Sequence, residues 1–184
     1  MSVIGIDEIL LRVKTEKLIE NLSNRELKNP EGIGIDLRLG AVYKITAGGA
    51  FIEAGLGKRK GVTTELVAQF KKKGRQKKIT IKPGDYYLVS TLETINTPKD
   101  LMPVIFPRTS LFRAGLFLLN SKTDPGYKGS LTMGLKNLSE FEVKLQLGAR
   151  ICNVVFFKID GKTNPYRGQH QGGRISPENV EQQV

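Results

Sequence analysis

At 184 residues, 39% of them hydrophobic and 26% charged, the chain has the composition of one globular domain with room for a core. No run of about 18 apolar residues occurs, so no membrane-spanning helix is expected. The net charge of +11 makes polyanionic partners the natural class to weigh.

The N-terminus reads as helix. Its opening, Met1 to Asp7, lacks the basic and apolar regions of a secretory signal. Ile6, Ile9, Leu10 and Val13 recur at helical spacing, and Asp7 and Glu8 sit where the helix dipole favours acid. A second amphipathic piece, Glu16 to Leu22, extends the expected helical region over about residues 5–22. Asn29-Pro30-Glu31-Gly32 then breaks the pattern. From Ile33 the texture changes: Ile33, Ile35, Leu37 and Leu39 alternate with Gly34, Asp36 and Arg38, the period of a strand. Short apolar or β-branched runs follow at Val42–Thr46, Glu65–Phe70, Ile79–Ile81, Tyr86–Leu92 and Met102–Phe106, then at Leu116–Leu119, Ser130–Leu135, Glu142–Leu147 and Ile151–Ile159. Turn signals such as Lys82-Pro83-Gly84-Asp85 and Asp124-Pro125-Gly126 separate them. Many short strands with regular punctuation predict an all-β sandwich or barrel with a short helical start. Thr109 to Arg113 reads as a single helical turn.

Two segments stand out from that frame. In the stretch of about residues 55–78, Lys58, Arg59, Lys60, Lys71, Lys72, Lys73, Arg75, Lys77 and Lys78 are opposed by Glu65 alone. It reads either as a solvated excursion between strands, as a nucleic-acid patch, or as a general attractor of anionic substrates. Phe70 is the one aromatic residue among those lysines, which disfavours a base-stacking platform. The second segment, 164–184, is polar and glycine-rich, and either lacks fixed structure or folds over something. It follows a β domain expected over residues 1–163. Cys152, the single cysteine, has apolar neighbours and reads as a core thiol, in keeping with a reducing, cytoplasmic setting.

The chemistry concentrates in Pro107-Arg108-Thr109-Ser110-Leu111-Phe112-Arg113-Ala114-Gly115-Leu116, followed by Asp124-Pro125-Gly126-Tyr127-Lys128-Gly129. Guanidinium groups and hydroxyls suit phosphate oxygens. A lone aspartate nearby can hold an attacking or metal-bound water. A phosphorylated small molecule and a hydrolytic reaction are the expectation.

These motifs resemble the family that joins deoxycytidine triphosphate deaminases and trimeric dUTP diphosphatases. Gly34-Ile35-Asp36-Leu37-Arg38-Leu39-Gly40, Lys82-Pro83-Gly84-Asp85, Arg108-Thr109-Ser110-Leu111, Asp124-Pro125-Gly126-Tyr127, Asn137-Leu138, Leu147-Gly148-Ala149-Arg150 and the tail from Tyr166 to Arg174 carry the resemblance, in order. It implies a distorted jelly-roll subunit and a homotrimer with active sites between subunits. Two chemistries occur in such a family. Its deaminases use a glutamate three residues before the asparagine that Asn137 matches, and here that position is Gly134. Glycine relays no proton, and neither a His-x-Glu nor a Cys-x-x-Cys pair is present for a zinc deaminase. The expected activity is therefore dUTP hydrolysis to dUMP and pyrophosphate, with Mg²⁺ carried mainly by the triphosphate.

On that resemblance Asp124 is the base that activates water, and Arg108, Thr109, Ser110 and Arg113 bind phosphates. Arg113 has the alternative of pairing with a carboxylate across a subunit boundary. Asn120 lies at the base-reading hairpin, and Tyr127 packs on deoxyribose or is simply a core aromatic. Gln169, Gln171, Gly172, Gly173 and Arg174 close over the triphosphate. Asp36 either touches the metal through water or is structural. Deamination of dCTP, alone or with hydrolysis, is the alternative enzyme activity. A non-catalytic nucleotide- or nucleic-acid-binding protein is the alternative class. No membrane partner is expected.

Overall fold

The computed structural model describes residues 2–183. In chain order they form α1 (Ile6–Glu16), β1 (Ile19–Glu20), α2 (Asn24–Lys28) and the long β2 (Ile35–Ala47). The basic excursion holds β3 (Phe51–Ile52), β4 (Lys58–Lys60), β5 (Thr63–Gln69) and β6 (Lys78–Ile81). Next come β7 (Tyr86–Thr91), β8 (Thr94–Asn96), β9 (Leu101–Pro107), α3 (Thr109–Arg113), β10 (Leu116–Leu119), β11 (Lys128–Gly129) and β12 (Thr132–Asn137). β13 (Val143–Gln146), β14 (Arg150–Lys158) and β15 (Glu181–Gln182) follow. The architecture is the mostly-β, nearly closed barrel that the alternation predicts.

β2 organises the barrel. Its first half pairs with β14 and its second half with β7 and β5. The main sheet runs β10-β12-β7-β2-β14-β9. The sequence suggests two strands here, split at Gly40; the structure bends one strand at that glycine. A Cβ at Gly40 would lie 2.6 Å from the Thr91 carbonyl oxygen, so only glycine permits the shift in register between Leu39 and Ala41. Ile35, Leu37 and Leu39 point into the core with Val89, Leu135, Val154 and Phe156, all fully buried. Cys152 is fully buried among them, and burial pushes its thiol pKa up, as a core cysteine requires.

The alternate residues of β2 carry charge. Arg38 donates through its backbone N–H (2.7 Å) and Nε (2.6 Å) to Glu93, which has no exposed surface. Asp36 accepts from Arg150 Nη1 at 2.8 Å and Asn153 Nδ2 at 3.0 Å, with Arg108 Nη1 at 3.3 Å. The Asp36 bonds to Arg150 and Asn153 tie β2 to β14, and the Arg38 pair ties β2 to the turn after β7.

The helix expected over about 5–22 stops at Glu16. Lys17 takes a left-handed conformation (φ 54°), and Ile19–Glu20 pairs with β8 as a strand. Leu18 and Ile19 are both buried (0% and 2% exposed), against different neighbours that a continuing helix would not reach together. Arg12 ties α1 to the loop before β9 through Asp100 at 2.8 Å, holding the Asp100 carboxyl below its ordinary pKa.

Candidate active site

The loop after β10 builds the site. Thr123 donates its N–H to the Pro103 carbonyl at 2.8 Å, and Gly126 donates to Thr97 at 2.9 Å. The turn closes with Tyr127 N–H on the Asp124 carbonyl at 3.1 Å. Those bonds clamp the loop to the edges of β8 and β9 and aim Asp124 into a pocket of about 260 Å³. Asn120, Lys122, Tyr127, Thr132, His170 and Arg174 share that lining. Asp124 is half-exposed and paired with Lys122, two residues earlier. Asn120 donates through Nδ2 to the Ile105 carbonyl at 2.6 Å, which fixes the start of the loop. Tyr127 is both wall and core. It is 7% exposed, donates to the Ser130 carbonyl at 2.6 Å, and meets Tyr166 edge-on at 5.4 Å. Burial, with Tyr166 beside it, pushes its phenol up to about 12, so it stays a neutral, apolar-faced wall.

The tail from residue 164 folds back over this pocket. Gly172 donates to the Lys128 carbonyl at 2.8 Å, and Gln171 bridges Lys128 N–H (3.0 Å) and the Gly126 carbonyl (3.1 Å). Gly129 makes the crossing possible, because a Cβ there would lie 2.4 Å from the Gly173 nitrogen. These bonds place the tail against the site loop. Gln171 and Gly172 bond to the site loop, Gly173 packs against Ser130 and donates to the His170 carbonyl at 3.2 Å, and Gln169 donates to the Gln182 carbonyl at 2.5 Å. Of the five tail positions expected at substrate, Arg174 lines the pocket.

The phosphate motif also lies elsewhere. Thr109, Ser110 and Arg113 on α3 are exposed and outside the pocket lining. Arg108 turns toward Asp36. Asp36 itself is nearly buried, accepts from Arg150 and Asn153 and lies beside Arg108, so it holds those side chains in place. The chain thus brings together Asn120, Asp124, Tyr127 and Arg174 and leaves the α3 hydroxyls on another surface.

His170, Lys122 and Thr132 were not singled out from the sequence. A lone histidine has no partner spacing to reveal it. His170 is pushed below its ordinary pKa by burial first and by Arg59 on β4 next; Arg174 and Glu181 also face it, and its N–H donates to Tyr166 Oη at 3.2 Å. The docked tail therefore resists protonation more than a released tail. Docking should be at full strength above the ordinary histidine value of 6.5 and weaken as pH falls through it. Amide exchange at Gly172 and Gly173, corrected for intrinsic rates, should be faster at about pH 5.5 than at about pH 7.5. Equal corrected rates would remove His170 from any part in docking.

The sequence model of the dCTP deaminase-like family matches residues 4–159. The chain belongs to that family. It is 35% identical to a dCTP deaminase of Thermococcus kodakarensis over 164 residues, covering 89% of this chain and 90% of the relative. A dUMP-forming dCTP deaminase of Sulfurihydrogenibium is 38% identical over 96 residues, 51% of this chain and 53% of the relative. Among solved structures, the 2′-deoxycytidine 5′-triphosphate deaminase of Agrobacterium tumefaciens superposes with a TM-score of 0.59 at 16% identity. That match covers 84% of this chain and 48% of the other, so this chain spans about half of it and the likeness is one of fold.

Within this dCTP deaminase-like chain, Gly134 is buried on β12 beneath Tyr86 of β7. A Cβ at Gly134 would come 2.5 Å from the Tyr86 hydroxyl, so the phenol fills the space that a side chain at 134 needs. For metal, no group of three or more His, Cys, Asp or Glu side chains converges among the described residues. A pocket with one carboxylate fits a Mg²⁺ ion that arrives on a triphosphate and keeps phosphate and water as its main ligands.

Proposed function

We propose that this member of the dCTP deaminase-like family hydrolyses dUTP to dUMP and pyrophosphate. One observation carries the reading: among the described residues Asp124 is the only carboxylate in the pocket lining, and Gly134, where a deaminase's glutamate is expected, has no side chain and lies outside that lining. A single carboxylate suits activation of one water. Asp124 takes a proton from that water as its oxygen attacks the α-phosphorus, and the bond to the bridging oxygen of the β-phosphate breaks to release pyrophosphate. Lys122 leaves its pair with Asp124 for the phosphate side. Tyr127 presents its ring to the deoxyribose, and Arg174 draws in the polyphosphate. Mg²⁺, when bound on the triphosphate, supplies charge neutralisation.

The phosphate half of the site calls for a second copy. The α3 hydroxyls lie outside their own chain's pocket. Phe112 on α3, with Phe106 and Phe117 beside it in sequence, leaves aromatic surface about half exposed. Both observations support a homotrimer in which α3 of one subunit completes the pocket of another.

The relatives' names favour a second reading, deamination of dCTP with or without hydrolysis to dUMP. Product analysis on dUTP and dCTP in parallel, with Mg²⁺ and with chelator, separates the two. Mg²⁺-dependent dUMP and pyrophosphate from dUTP, with dCTP untouched, is the expected result. Ammonia released from dCTP would move the chain to the deaminase side.

A further inference from the structure

The far end of the tail is pinned to the basic excursion of its own chain. β15 pairs with β4, setting Glu181 opposite Arg59 and Gln182 opposite Lys58. Gly61 donates its N–H to the Pro177 carbonyl at 2.6 Å, Ser176 Oγ donates to Val62 at 2.6 Å, and Gln183 donates to Gly57 at 3.0 Å. Thr64 donates its N–H to Glu178 Oε1 at 3.1 Å. From β15, Glu181 reaches back to pair with Arg174, the tail cation that lines the pocket. Gly61 lies so close to the tail that a Cβ there would meet Ser176 Oγ at 2.4 Å and Pro177 Cδ at 2.7 Å.

We propose that residues 51–64 form a docking strip that fastens the chain's tail over its own pocket, and that Glu181, held on the strip, is a positioning residue that aims Arg174 at the substrate polyphosphate. Arg59 faces Glu181 across the strand pair, while one oxygen of Glu181 and the Nε of Arg59 are buried without hydrogen-bond partners. Glu181 is placed by the backbone pairing of β15 with β4, and its side chain pairs with Arg174. The polyphosphate part rests on the activity proposed above; the docking part does not.

Two arms test it. With Lys58→Cys and Gln182→Cys in the full chain, opposed across the β4–β15 pair, oxidation should give an intrachain crosslink that migrates as a single chain on a non-reducing gel. A ladder of linked chains, or no crosslink, overturns docking within one chain. That arm uses no nucleotide, so it stands or falls independently of the substrate. In the second arm, Gly61→Val should wedge the tail off and Glu181→Ala should free Arg174. Each should raise KM about tenfold with kcat nearly unchanged, for whichever of dUTP and dCTP the wild type turns over, and Glu181→Gln should recover part of the loss. An unchanged KM in Glu181→Ala overturns the positioning role. So does an unchanged KM in Gly61→Val once faster amide exchange at residues 172–183 shows the tail released.

Discussion

Asp124→Asn is expected to keep nucleotide binding and to lose at least about 100-fold in kcat, the scale of a positioned general base. The substitution keeps shape and one acceptor oxygen but cannot take the proton from water. The turn that presents Asp124 is held by main-chain bonds from Tyr127, Thr123 and Gly126, none of which uses the carboxylate. Folding should therefore be unchanged, and the loss should appear in kcat with KM close to wild type. The variant also removes the anionic partner of Lys122. That lysine is then free for phosphate, so binding of dUTP should tighten or hold. Near-full turnover in Asp124→Asn would sink the assignment of the base.

The largest effect on stability is expected at Arg38. Glu93 is fully buried, and Arg38 supplies both a backbone and a guanidinium hydrogen bond to it. Arg38→Met removes the guanidinium and leaves a buried carboxylate without its countercharge, at a cost of about 3–5 kcal/mol. Desolvation already raises the Glu93 pKa above its ordinary value even with Arg38 in place. A raised carboxyl takes up a proton more readily folded than unfolded, so the Arg38→Met deficit should shrink as pH falls toward the ordinary glutamate range. Glu93→Gln added to Arg38→Met should restore part of the loss, because the buried group is then neutral. Urea midpoints of the two single variants and the double variant measure this. A deficit below about 1 kcal/mol in Arg38→Met would mean that water reaches Glu93.

The strands were legible because alternation is imposed by burial on one face. β2, β7, β9, β10 and β14 fall within a residue or two of their runs in the sequence, except that β2 continues through Gly40. That continuation was hidden because glycine is read as a break, whereas here it is the point of closest approach to another backbone. The strands β1, β8 and β11 escape the sequence reading because two or three residues carry no period; their pairing is set by the strands around them. Ser23-x-x-Glu26 was a usable signal for α2, where the Ser23 hydroxyl accepts the Glu26 N–H at 3.2 Å. The site was legible in part. Asp124, Tyr127 and Asn120 lie close in sequence and were brought to one pocket. Arg174 joins them through a fold-back that no local pattern encodes. Gln171 and Gly172 donate to the Gly126 and Lys128 carbonyls of the site loop, and sequence does not say which acceptor a donor will find.

The stacking of Tyr86 on Gly134 bears on how easily the chain could change chemistry. An acid introduced at 134 meets the phenol first, so its effect depends on which residue stands at 86. The two positions form an epistatic pair on neighbouring strands. Tyr86 is 37% exposed, so its ring can swing outward to admit a side chain at 134, giving up its packing on the glycine. Position 134 and position 86 are thus selected together, each setting what the other can hold.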